Sequence, residues 1–97
     1  MKNKLQKAIN KINTVMQYPE LISTTFNKVN RGFCKDLLFL KNDLHLNFST
    51  IIDVGAAVGE YSKAASFIFS QAHTYAFEPI PDNFHKLENL SKKVKNI

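Results

Sequence analysis

The sequence predicts an α/β chain in which a β-α-β-α series builds a parallel sheet, with two or three helices in front of it. Three observations carry that expectation. Residues 51–59, IIDVGAAVG, pass from a β-branched run ending on an acid into a turn of small residues framed by two glycines. Helical spacing follows at once, with Tyr61, Ala64, Ala65, Ile68 and Phe69 three or four residues apart. A second strand-like run, residues 73–78 (HTYAFE), leads into the proline-marked start of another amphipathic stretch. Strands that alternate with helices imply parallel pairing and right-handed crossovers.

Taken in order, residues 1–16 predict an amphipathic helix. Leu5, Ile9, Ile12 and Met16 form one stripe, and Lys2, Lys4, Lys7 and Lys11 lie elsewhere. The expected use of that stripe is packing on the rest of the protein. An anionic membrane or nucleic acid phosphates are the alternative partners. A single arginine and no aromatics between the lysines argue against nucleic acid. Pro19 is expected to break this helix, and residues 21–29 to form a weak second one. Gly32 then punctuates the chain. Residues 33–46 predict a helix with Phe33, Leu37, Leu40 and Leu44 in register, ending near Asn47. Thr50–Val54 is the first strand, expected to be buried on both faces as parallel strands are. A helix over residues 59–70, the strand at 73–78, and a helix from Pro81 with Phe84, Leu87, Leu90 and Val94 on its apolar face complete the series. Asn96 and Ile97 read as the start of a third strand.

Composition bounds the function. Ninety-seven residues make one domain at most, with a thin core. Of the thirteen Lys and Arg residues, eight lie in residues 1–50 against three acids, while residues 51–97 balance at five each. The basic excess therefore belongs to the leading segment. Cys34 is the only cysteine, which excludes a disulfide framework, fits a reducing, cytoplasmic compartment, and reads as a buried, inert thiol. His45, His73 and His85 are too scattered for a metal-ligand motif, so no metal is expected. No apolar run is long enough to span a bilayer, and residues 1–20 lack the apolar core of a secretory leader.

The chemistry gathers at the carboxyl ends of the two strands, where ligands of open α/β sheets bind. The 55–59 loop would present backbone N–H groups next to a helix N-terminus. Glu78 follows Gly59 at about the spacing from which an acid reaches ribose hydroxyls in dinucleotide folds, some 20 residues on. Each feature alone has a plainer explanation. The glycines could serve only a tight turn, and Glu78 could merely cap the Pro81 helix.

Together, IIDVGAAVGEYS and YAFEPIPDNFHKLENL resemble the class I S-adenosylmethionine-dependent methyltransferases, and within them the FkbM family, whose pattern is similar to DVGAN-x-G-x-Y followed by a strand ending FEP. The resemblance covers residues 48–97. It implies the N-terminal part of a Rossmann-like parallel sheet (β-α-β-α), S-adenosylmethionine as cofactor, and O-methyl transfer to a sugar or natural-product hydroxyl. It further implies that Gly55, Ala56, Ala57 and Gly59 form the loop beside the cofactor's methionine part. Asp53 would orient that loop or meet the cofactor's amino group, Tyr61 would line the pocket, and Glu78, followed by Pro79, would hold the ribose. The family commonly has Asn where this chain has Ala57, which removes an amide able to fix the loop. An NAD-binding reading is weaker, because GxGxxG is absent.

The resemblance implies seven strands, of which this chain holds two and the beginning of a third. Residues 1–47 therefore read as a helical leader and residues 48–97 as the N-terminal half of a methyltransferase domain, truncated at the third strand. No catalytic residue is identified. A fragment of this kind is expected to be inactive alone and marginally stable, with an open sheet edge that invites self-association. The competing expectation is a non-catalytic remnant or interaction module that works through its basic leading helix.

Overall fold

The computed structural model describes residues 2–17 and 28–97. Among them are four α-helices and a two-stranded parallel sheet: α1 (Lys2–Gln17), α2 (Arg31–Leu38), a π-helical turn (Phe39–Asp43), β1 (Thr50–Val54), α3 (Glu60–Ile68), β2 (His73–Phe77) and α4 (Pro81–Ser91). The β-α-β-α order, the parallel pairing and the limits of β1 are those expected. Pro19 and residues 21–27 of the expected second helix lie outside the described residues.

Helix α2 begins one residue before Gly32, so that glycine does not interrupt it. The start is set by Asn30, whose side chain accepts from the Phe33 N–H at 3.1 Å. A short polar side chain here satisfies one of the N–H groups that a helix start leaves unpaired. Nor does the helix run on to Asn47. It widens into the π turn, where the Leu44 N–H reaches the Phe39 carbonyl at 3.1 Å, and His45 then takes a left-handed φ of 54°. The extra residue in that turn rotates Leu44 off the expected stripe, leaving it 50% exposed. Lys41 within the turn donates from Nζ to the Ile68 carbonyl at 2.9 Å. A cation thus sits on an orphan carbonyl at the C-terminal end of α3.

The core lies between α2, α3 and one face of the sheet. Cys34, Leu37 and Leu38 from α2 meet Ala64, Ala65 and Ile68 from α3, with Phe69 and Ala72 just beyond, and Ile51 of β1 packs against them. The small residues of α3 let α2 approach closely. Cys34 is fully buried, and burial pushes its thiol up to about 11, as suits an inert packing residue.

Burial of β1 on both faces is not observed. In the parallel register Ile51 pairs with Thr74 and Asp53 with Ala76 on the covered face, while Ile52 pairs with Tyr75 and Val54 with Phe77 on the other. All four residues of that second face are more than half exposed, Val54 at 81%. The cause is that α3 crosses from β1 to β2 on one side and no described element covers the other. Residues 96–97 do not form a third strand; the chain there runs through turns. Asn96 nevertheless meets the edge of β2 away from β1. Its carbonyl accepts from the Thr74 N–H at 2.8 Å, and its amide donates to the carbonyls of Ala72 and Ser66. One ladder bond is too little to make a strand.

The stripe of α1 also departs from expectation. Leu5, Ile9, Ile12 and Met16 are exposed at 64, 41, 58 and 75%, so α1 does not pack on the domain through them.

Candidate functional site

The strand ends bring most of the expected residues together. Phe77, the last residue of β2, accepts at its carbonyl from the N–H groups of both Gly55 and Ala56, each at 2.9 Å. The loop after β1 is thereby tied to the end of β2. Ala56 is buried, and its own carbonyl accepts from the Gly59 N–H at 2.9 Å, closing a tight turn. Ala57 sits at the exposed tip with φ +52°. A side chain with a β-carbon is strained there by roughly 1–2 kcal/mol, and Asn tolerates that region better than Ala does.

The two glycines differ in what they do. Gly59 has φ +93° and is the N-cap of α3. A β-carbon on it would stand 2.5 Å from Leu90 Cδ2 and 2.8 Å from Leu87 Cδ1, so its lack of a side chain lets α4 close over the loop. Gly55 has φ +81°, and a β-carbon there would meet nothing within 4 Å. It leaves open space above the strand ends where a ligand's atoms could lie against backbone.

Glu78 is the hinge of the arrangement. One carboxylate oxygen accepts from the Ala57 N–H at 2.7 Å and the other from the Ile80 N–H at 2.9 Å. Ile80 is the N-cap of α4, so the plain structural role of Glu78 is real: it fixes where that helix starts. A carboxylate has about four acceptor positions, and two are used here. Two remain for hydroxyl donors. Pro79, beside it, is exposed and offers no donor.

Asp53 is half-buried on the covered face and accepts from the Ser62 hydroxyl at 2.5 Å. Ser62 is fully buried in the first turn of α3, so the pair locks the strand end to the helix start. Ser62 carries no mark in the sequence beyond being a small polar residue on an otherwise apolar face. Tyr61 does not join the loop and Glu78. Its ring packs on Phe33 of α2, centroids 5.1 Å apart, and lines an apolar groove of about 270 Å³ with Leu37, Leu40, Phe48, Ile51 and Phe69. Partial burial, then the carboxylates of Asp36 and Asp53, raise its phenol above the ordinary value. Among the described residues no three His, Cys, Asp or Glu side chains gather as a metal site needs.

The first N–H groups of α3 have no intrahelical partner, and Gly59 brings no side chain to cap them. Loop, helix start and carboxylate therefore present donors and acceptors side by side at one end of the sheet. Comparison with family models, curated proteins and solved structures finds no match to this chain.

Proposed function

We propose that the strand ends of this chain form part of an S-adenosylmethionine site in a Rossmann-like methyltransferase sheet that further strands would complete. The observation that carries the reading is the Glu78 carboxylate, held at 2.7 Å against the N–H of the loop tip with acceptor positions to spare. Vicinal ribose hydroxyls are the donors that suit it, each charged hydrogen bond contributing about 1.5–3 kcal/mol. The open space over Gly55 and the uncapped start of α3 suit the remainder of such a ligand. The residues present therefore fit the cofactor's ribose and its methionine end. The bound cofactor would supply the methyl group. This chain's residues would bind and orient it, and they include no group assigned to activate an acceptor. The acceptor class, a sugar or natural-product hydroxyl, rests on the FkbM resemblance. A cytoplasmic setting rests instead on the single cysteine, which suits a reducing compartment.

Calorimetry with S-adenosylhomocysteine on a chain that supplies the further strands tests this. Glu78→Gln keeps one accepting oxygen but sets an amide donor against one of the two backbone N–H groups of Ala57 and Ile80. It should weaken binding by at least tenfold, while Glu78→Ala should lose both bonds and loosen the start of α4 more. Unchanged affinity in Glu78→Gln rejects the ribose assignment.

A further inference from the structure

We infer that α1 is a surface-binding helix whose partner is an anionic lipid surface. The inference does not rest on the cofactor reading. At about 100° per residue, Leu5, Ile9, Ile12 and Met16 fall within an arc of roughly 60°, and all four are exposed. On the same count Lys4 and Lys11 lie together on one side of the helix, about 80° and about 100° from the near edge of that arc, and Lys7 lies almost opposite it; all three are also exposed. No carboxylate occurs in the chain before Glu20, and among the described residues none pairs with these lysines. A helix with one apolar stripe, a polar remainder rich in lysine and low overall hydrophobicity lies flat in a membrane interface. Its lysines bury their stems at the edge and keep their charge in water.

The rest of the fold extends the positive charge. Lys11 shares a cleft of about 250 Å³ with Arg31 and Lys35 at the start of α2, and among the described residues no acid lines it. Cations from two helices thus converge on the polar side of α1, which suits lipid phosphates above the acyl chains that the stripe would enter. Charge complementarity selects this partner over the others. A second copy seated stripe against stripe would bring no acid of α1 to these lysines, because α1 contains none. Nucleic acid would use the lysines and leave the apolar stripe in water, and no aromatic side chain lies in α1 for bases to stack on. The helix is too short and polar to span: among the described residues no helix is long and apolar enough to cross a membrane.

Co-sedimentation of the full chain with vesicles tests the inference, using phosphatidylcholine mixed with phosphatidylglycerol against phosphatidylcholine alone. The expected result is binding to the anionic vesicles that salt weakens, and at least tenfold less binding to the neutral ones. Replacing Lys4, Lys7 and Lys11 together by Gln should lower the partition about a hundredfold, at about fivefold per lysine. Ile9→Glu should lower it about tenfold or more. Because these side chains are exposed, the variants should leave Cys34 as protected from thiol reagents as in the parent, which separates lost binding from lost fold. No binding, equal binding to neutral vesicles, or binding indifferent to both variants overturns the inference. So does a dimer that Ile9→Glu dissolves, or tighter binding to single-stranded RNA than to the anionic vesicles.

Discussion

The two faces of the sheet are built from similar residues and have opposite fates. Ile51 packs into the core on one face while Ile52, its neighbour in sequence, is 65% exposed on the other. Nothing in β1 itself separates them. The difference comes from α2 and α3, which lie on one side only. A strand's apolar pattern therefore states what could be buried, and the crossover decides what is. On the covered face, small residues in α3 and large ones in α2 interlock. The bare face presents Ile52, Val54, Tyr75 and Phe77 as one apolar patch. Patches of that kind mark surfaces that another element or partner covers.

Substitutions can break or sharpen this contrast. The largest effect is expected at Leu38, 2% exposed in the core. Leu38→Ala should destabilise the chain by about 3 kcal/mol, measured as a shift of the urea midpoint. A loss under about 1 kcal/mol would show that the α2–α3 core does not hold the covered face together. Next comes the glycine pair. Gly59→Ala combines a left-handed φ with a clash against Leu87 and Leu90, and should cost about 2–3 kcal/mol. Gly55→Ala meets no atom and should cost about 1 kcal/mol, from its backbone alone. Equal losses would mean that α4 does not close over the loop. Ser62→Ala removes the partner of a half-buried carboxylate and should cost about 1–2 kcal/mol, read in the same titration. On the bare face, Val54→Thr should change stability by no more than about 0.5 kcal/mol and should reduce self-association in sedimentation velocity. A loss comparable to that of Leu38→Ala would mean that a second layer covers this face in solution.

Much of the covered half was legible in the sequence. The Ile-Ile-Asp-Val run marked β1 because β-branched residues ended at a glycine turn, and Pro81 marked the start of α4 by its fixed φ. Glu78 could be placed at a strand end because the strand pattern stops there. What could not be read depended on distant partners. The π turn forms where Lys41 finds the Ile68 carbonyl, 27 residues away. The Asp53–Ser62 bond spans the glycine loop, and nine residues of sequence give no sign of it. The exposure of the α1 stripe was hidden for the same reason as the bare sheet face. Amphipathic spacing shows that a stripe wants a partner, not where the partner lies.

Cys34 carries one further consequence. It is the sole thiol of the chain, fully buried between α2 and α3, and burial has moved its ionisation up to about 11. At neutral pH an alkylating reagent meets almost no thiolate and has no path to the sulfur while the helices are together. Labelling therefore proceeds only through moments when α2 lifts from α3, and its rate counts those moments. The protein carries a built-in clock for the breathing of its own core, readable by mass at a native residue with no engineered label site.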